Sequence, residues 1–138
     1  MENPKKLAGD WLYKSFISNS NPDDDPQLFG QGIFKIQQSD FGNISADFDF
    51  GQWGQMKVKG TVHFGNPFQM RFQGKGVKGT GAEDWVYDYI GYLVPNWVEG
   101  VDQMPSIVGS LIRTKPHGES QAGVVASFIM LKMESTAS

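Results

Sequence analysis

The sequence predicts an all-β protein, a single eight-stranded antiparallel up-and-down β-barrel over residues 1–138. Apolar residues recur at every second position far more often than at helical spacing, which is the side-chain period of a strand. The alternating runs are separated by Gly, Pro, Asn and Asp, the residues that favour turns. A chain of 138 residues is long enough for one domain with a real core and too short for two. A β-sandwich is the alternative architecture.

Five strands are predicted in the first part of the chain, at residues 9–19, 29–38, 44–50, 56–64 and 68–73. Residues 44–50 alternate without a fault between apolar and polar side chains, so one face of that strand should meet the core and the other should meet water. The turn sequence Gly65-Asn66-Pro67 joins the fourth and fifth strands as a hairpin.

Three further strands, at residues 85–94, 106–114 and 123–133, are largely apolar on both faces. In a sandwich they would be the buried strands. In a closed up-and-down barrel they are neighbours, and their outward sides form one patch that is larger than a monomer usually exposes. The barrel therefore predicts a homo-oligomer, at least a dimer, that pairs through the outer face of these three strands.

Short connections between successive strands favour the barrel over Greek-key crossings, and closure removes exposed strand edges. Glycines inside the predicted strands, such as Gly60, Gly91 and Gly109, suit sharply coiled strands. No linker, repeat or second domain is evident, and we expect mobile tails at residues 1–6 and 134–138.

Charge and composition exclude several classes of partner. The formal net charge of -3 provides no basic field for nucleic acid or an anionic membrane surface. The sequence contains no apolar run of membrane-span length and does not begin like a signal peptide. The absence of cysteine is compatible with a reducing compartment. These features predict a soluble cytoplasmic protein that binds neither nucleic acid nor membranes.

Motifs for catalysis, metals or cofactors are weak. Residues 74–79 match the spacing of a dinucleotide-binding loop, but a predicted strand follows where that loop needs a helix. Asp23-Asp24-Asp25 lacks the ligand spacing of a calcium loop, and His63 and His117 are interpreted as surface residues. We therefore expect no catalytic residue of a known motif, no metal and no cofactor.

Arg113 ends an apolar strand at a predicted barrel mouth. Its planar guanidinium suits a ligand carboxylate, although an arginine that extends its charge to water is the commoner case. A dense aromatic set could line a ligand cavity or could simply fill the barrel, because eight strands enclose a space just large enough for either. This set is Tyr13, Phe34, Phe48, Phe50, Phe72, Tyr87, Tyr89 and Phe128.

The start of the first strand, Gly9-Asp10-Trp11, resembles the Gly-x-Trp signature of the calycin group, which contains lipocalins, fatty-acid-binding proteins and avidins. The resemblance implies that Trp11 closes one end of the barrel beneath a basic side chain of the last strand, which would be Lys132 here. It also implies that a small hydrophobic molecule binds inside the barrel, and that subunits pair in a way similar to avidins.

Two functions follow as hypotheses. The first is a barrel that binds a small apolar molecule, with the loops 19–28 and 95–105 as lids and with Trp97 and Met104 near the ligand. The alternative is a cofactor-independent isomerase or cyclase of an apolar substrate, in which Asp88 or Glu83 moves a proton. The ligand-binding hypothesis needs no catalytic residue.

Overall fold

The computed structural model describes residues 7–17, 21–37, 42–65, 67–95, 97–118 and 120–133. It contains eight β-strands: β1 (Gly9–Ile17), β2 (Gln27–Gln37), β3 (Asn43–Asp49), β4 (Gln55–His63), β5 (Gln69–Gly76), β6 (Val86–Leu93), β7 (Ser106–Arg113) and β8 (Val125–Lys132). Each strand pairs with its neighbours in sequence, and β1 also pairs antiparallel with β8, so the sheet closes. The predicted all-β up-and-down barrel is confirmed, and the sandwich alternative is wrong.

The strand bounds agree with the prediction to within a few residues. The largest difference within the described residues is at β5, which ends at Gly76 rather than at Gln73. The predicted end of the first strand beyond Ile17 and both predicted tails lie outside the described residues.

Side-chain alternation decides which residues face the barrel interior. In β4, Met56 and Val58 are buried while Lys57 and Lys59 are exposed, as a strand with one wet face requires. In β6, β7 and β8, where both faces are apolar, the sequence left the inward face open. The structure turns these residues inward: Tyr87, Tyr89, Gly91, Ile107, Leu111, Arg113, Ala126, Phe128 and Met130.

A β-bulge interrupts the pairing of β1 with β2. Ser15 pairs with Gly30, but the next residue, Phe16, pairs with Leu28, so Phe29 is an extra residue in β2. A bulge bends its strand and changes the direction of the side chain that it carries. Phe29 is thereby directed toward the interior, next to the inward-facing Gly30.

The interior is solid at the end of the barrel where β1 begins. Trp11 is fully buried there, and its indole Nε1 donates a hydrogen bond to the carbonyl oxygen of Leu7 at 2.8 Å. Large buried side chains pack from this end to the middle of the barrel, and their burial stabilises the fold. They include Phe34, Phe48, Met70, Phe72, Phe128 and Met130.

Nothing in the described ranges forms a helix that is both long and apolar enough to cross a bilayer. A 3-10 turn at Gly51–Trp53 lies between β3 and β4. It begins directly after Phe50, and this turn and the β7–β8 connection both lie at the end of the barrel opposite Trp11.

Candidate ligand-binding site

The barrel contains a cavity of about 520 Å³ at the end opposite Trp11. The question whether side chains fill the barrel or leave room for a ligand thus has a different answer at each end. The cavity is lined by Tyr13, Ser15, Leu28, Phe29, Gly30, Gln31, Phe50, Trp53, Trp85, Tyr87, Tyr89, Leu111, Arg113 and His117. Leu28 and Trp53 are largely exposed, so the cavity opens to solvent beside them.

Aromatic rings form most of the cavity wall. The rings of Phe50 and Trp85 meet edge to face with centroids 5.4 Å apart, and Trp85 in turn stacks on the imidazole of His117 at 5.3 Å. Phe29, which the bulge directs inward, lies 6.4 Å from the ring of Tyr87. Rigid aromatic walls of this kind suit a flat or apolar molecule and lose little conformational entropy on binding.

Hydroxyl groups lie at the deep end of the cavity. Tyr13 and Tyr89 are almost completely buried, and Ser15 beside them donates a hydrogen bond to the carbonyl oxygen of Gly30 at 3.4 Å. Burial raises the pKa of Tyr13 above its ordinary value, an effect that hydrogen bonds to Ser15 and Tyr89 partly oppose. Burial also raises the pKa of Tyr89, and the nearby phenols of Tyr13 and Tyr87 raise it further. Both phenols are therefore neutral hydrogen-bonding groups at neutral pH.

Arg113 places a cation in the cavity wall. Only 7% of the residue is exposed, and its Nε donates a hydrogen bond to the hydroxyl oxygen of Tyr87 at 3.1 Å. Its Nη1 donates to the carbonyl oxygen of Gln121 at 3.0 Å, and its Cζ lies 5.4 Å from the centroid of the Phe29 ring. The guanidinium is thus held in one orientation by two hydrogen bonds and an aromatic face.

His117 is part of this site. It lies in the β7–β8 connection, where its backbone pairs with Ser120, and its Nε2 is 3.0 Å from the hydroxyl oxygen of Tyr87. Burial lowers the pKa of His117 and the charge of Arg113 lowers it further, while Asp84 acts in the opposite direction. His117, interpreted from the sequence as a surface residue, is half-buried at the cavity wall, where its ring also stacks on Trp85.

The sequence predicted nine ligand-binding residues, and the structure divides them into two groups. Those that line the cavity are Tyr13, Phe50, Tyr87, Tyr89 and Arg113. The other four pack in the solid half below it: Phe34, Phe48, Phe72 and Phe128. These four face inward but do not line the cavity, and Phe128 lies opposite the lining residue Ser15 in the β1–β8 pairing. Two of them support the cavity floor, since Phe72 stacks on Tyr89 at 4.8 Å and Phe48 meets Tyr13 at 4.5 Å.

The two residues predicted to close the barrel lie together. Trp11 pairs with Lys132 across the β1–β8 seam, and the ammonium nitrogen of Lys132 is 5.8 Å from the centroid of the Trp11 indole. They lie at the solid end, so they take no part in the cavity.

Several lining residues were missed by the sequence reasoning. Phe29 was missed because the bulge that turns it inward is not visible in the alternation, and Ser15 was missed because it is small and polar. Trp53 follows a strand, where alternation gives no direction. Trp85 begins the predicted strand 85–94 on the same face as Tyr87 and Tyr89, but it was not assigned to the ligand. The available signal for Trp85 was its alternation with Tyr87 and Tyr89, and the signal for Trp53 was its apolar identity beside turn residues.

Two further expectations about the mouth are wrong. The connection 95–105 joins β6 to β7 at the Trp11 end, because Lys132 N donates to the carbonyl oxygen of Pro105, so Trp97 and Met104 are far from the cavity. Only the 19–28 loop, as far as it is described, borders the cavity end, through Leu28.

The carboxylates named in the enzymatic alternative do not face the cavity. Asp88 lies on the outer face of β6 and accepts a hydrogen bond from Gln73 Nε2 at 2.8 Å, and Glu83 is exposed in the β5–β6 turn. Across the described ranges, no three His, Cys, Asp or Glu side chains are grouped so as to hold a metal ion. The charged and titratable side chains that line the cavity are arginine, histidine and tyrosine.

Comparison of the chain with protein-family models, with curated proteins and with solved structures finds no match.

Proposed function

We propose that the protein binds one small, largely apolar molecule in the cavity between Tyr13 and the mouth at Trp53. The observation that carries this proposal is the cavity of about 520 Å³, which lies within the range of roughly 300–1,000 Å³ typical of small-molecule sites. The rest of the barrel interior is filled to the middle by buried side chains. A folded chain that packs one half tightly and leaves the other open gives up hydrophobic stabilisation there, which a ligand would restore.

The chemistry of the wall favours an aromatic or aliphatic body over a sugar or a nucleotide. Phe29, Phe50, Trp85 and Leu111 offer apolar surface, while the polar groups are few and converge on one side. Such a wall binds by excluding water from apolar area, and the few polar groups select the orientation of the ligand.

The test begins with native mass spectrometry of freshly purified protein, followed by solvent extraction of any retained molecule. Titration calorimetry with the neutral probes 1-naphthol and 1-decanol then measures binding of one molecule per chain. Gly30→Leu is the variant that fills the cavity, because a Cβ at Gly30 would lie 3.3 Å from Ser15 Oγ and 3.9 Å from Phe50 Cε1. Thr61→Leu adds a comparable side chain on the exposed outer face of β4 and serves as the control.

We expect Gly30→Leu to weaken binding of the probes by about 10-fold or more, which corresponds to about 1.4 kcal/mol. Thr61→Leu should leave the affinity within about 2-fold, since it adds no atoms to the cavity. The proposal is wrong if no molecule is retained and neither probe binds the wild-type protein.

We also infer that the protein pairs with a second copy of itself. This inference is supported by an apolar outer face that crosses β6, β7, β8 and β1. The face consists of Leu12, Phe16, Ile90, Tyr92, Val108, Ile112, Val125, Ile129 and Leu131. Tyr92 pairs with Val108 and Val108 with Ile129, so the face is continuous over β6, β7 and β8. In β1, Leu12 and Phe16 flank Lys14, which pairs with Ile129. Two sheets of this kind stack about 10 Å apart and bury their apolar faces, and self-pairing satisfies both at once.

A further inference from the structure

Arg113 is a buried cation that donates hydrogen bonds to two neutral oxygens, the hydroxyl of Tyr87 and the backbone carbonyl of Gln121. A guanidinium has five N–H donors, so further donors remain for another group at the cavity wall. Within the described part of the chain, no carboxylate lies within ion-pair distance of Arg113. Holding a cation away from water is costly unless an anion compensates it, and a planar carboxylate matches the fork of a guanidinium.

Tyr87 connects this cation to His117. The hydroxyl oxygen of Tyr87 accepts a hydrogen bond from Arg113 Nε, so its own proton is available for His117 Nε2 at 3.0 Å. This assignment makes His117 a neutral imidazole with its proton on Nδ1, consistent with a pKa that burial and Arg113 lower. The groups that face the imidazole are Arg113 from β7, Tyr87 from β6, and Asp84 and Trp85 from the β5–β6 connection.

We propose that the ligand is a small aromatic or aliphatic acid, whose carboxylate is bound by Arg113 and whose binding draws a proton onto His117. This inference rests on the proposed function, because it names the class of molecule that enters the same cavity. The apolar body of the acid lies against Phe50, Trp85 and the floor tyrosines.

The coupling to a proton follows from charge. A carboxylate beside Arg113 offsets the positive charge that disfavours a second cation at His117. The bound complex therefore holds a proton on His117 at a higher pH than the free protein does. Binding of the acid should take up protons and should tighten as the pH falls from neutral toward the pKa of free His117.

A matched pair of probes separates this proposal from the simpler one. 1-Naphthaleneacetate and 1-naphthaleneacetamide have nearly the same shape and differ in charge. We expect the wild-type protein to bind the acid about 10-fold or more tightly than the amide near neutral pH. Calorimetry in two buffers of different ionisation enthalpy should show proton uptake with the acid and none with the amide.

Two variants and one control variant locate the effect. Arg113→Met should remove the preference for the acid while the amide still binds, and Arg71→Met, at the exposed arginine of β5, should leave the preference unchanged. His117→Phe keeps a ring on Trp85 and should abolish the proton uptake. Urea unfolding shows whether Arg113→Met is folded, and the ratio and proton uptake of the wild-type protein decide the proposal even if that variant does not fold.

Equal affinity of the wild-type protein for acid and amide would overturn acid recognition and leave the cavity-binding function standing. Preference for the acid without proton uptake would overturn the role of His117. Binding of neither probe, with no retained molecule, would instead refute the proposed function itself.

Discussion

Tyr13 and Tyr89 are buried phenols that lie next to each other at the floor of the cavity, with ring centroids 6.4 Å apart. Burial raises the pKa of both residues above the ordinary tyrosine value of 10.0. Their neutral hydroxyls give an otherwise apolar floor two groups that can orient a ligand. The same burial makes the fold sensitive to alkaline pH.

We predict that the free energy of unfolding falls as the pH rises above about 10, the pKa of a tyrosine in the unfolded chain. Above that pH the unfolded chain releases phenolic protons that the folded protein keeps, so the unfolded state gains stability. Each tyrosine contributes a slope of up to about 1.4 kcal/mol per pH unit. Urea unfolding at a series of alkaline pH values measures this slope.

The control distinguishes Tyr89 from tyrosines in general. In the Val108→Lys background, where no second copy should cover Tyr92, Tyr89→Phe should flatten the alkaline decline. Tyr92→Phe, at a tyrosine that is 40% exposed on the outer face, should not. An equal slope in both variants would show that buried phenols do not cause the decline.

At the residue scale, the sequence predicted which side chains face the interior better than it predicted how far they lie from each end of the barrel. Alternation correctly turned Phe34 and Phe72 inward, yet nothing in their own strands tells how far a residue lies from each barrel end. That distance depends on the stagger between strands, which the closed pairing of β1 with β8 determines. The role of His117 could not be predicted for a different reason. A turn residue has no side-chain periodicity, and Tyr87, which His117 contacts, lies 30 residues earlier in the sequence.

At the scale of the strands, β2 departs from regular side-chain alternation at its bulge. The β2 segment Phe29-Gly30-Gln31-Gly32 carries a glycine at alternate positions, so the side chains that would reveal its inward face are missing. The bulge at Phe29 is therefore invisible in the sequence, although it shapes one cavity wall. The eight strands themselves were predictable, because turn residues and alternating runs act over short distances.

Gly60 illustrates a glycine that β4 requires for its close approach to β5. A Cβ at Gly60 would lie 2.0 Å from the carbonyl oxygen of Arg71 and 2.5 Å from Phe72 Cα, so the backbone of β5 would have to move. We predict that Gly60→Ala lowers the free energy of unfolding by about 2 kcal/mol or more. Urea unfolding provides the measurement.

Gly30→Ala is the matched control, because Gly30 is also a strand glycine and its Cβ would meet no atom closer than 3.3 Å. Its effect should stay within about 0.5–1 kcal/mol. Similar losses in the two variants would mean that the contact with β5 is not what makes glycine necessary at position 60.

The barrel as a whole is asymmetric in two ways. Along its axis, one half is solid around Trp11 and the other encloses the cavity below Trp53. Around its circumference, β3 to β5 present polar residues such as Lys57, Lys59 and Arg71 to solvent, while β6, β7, β8 and β1 present the apolar outer face. The asymmetry around the circumference was visible in the sequence, because the strands that are apolar on both faces follow one another. The asymmetry along the axis arises only when the barrel closes.

The apolar outer face predicts the state of the protein in solution. Exposed apolar surface of this extent is stabilised by burial, and a second copy supplies an identical face. We expect analytical ultracentrifugation to give twice the mass of a single chain across micromolar concentrations. Val108→Lys and Ile129→Lys, which place a charge on paired residues in the middle of that face, should shift the protein to monomer because a buried unpaired lysine is costly.

Thr61→Lys, which adds the same charge on the polar side of the barrel, should remain dimeric. The variants also separate pairing from ligand binding, since the apolar outer face and the cavity lie on opposite sides of the strands. A monomeric Val108→Lys that still binds the naphthalene probes would show that one chain carries a complete site. A wild-type protein that sediments as a monomer at every concentration would refute the pairing and leave the cavity untouched.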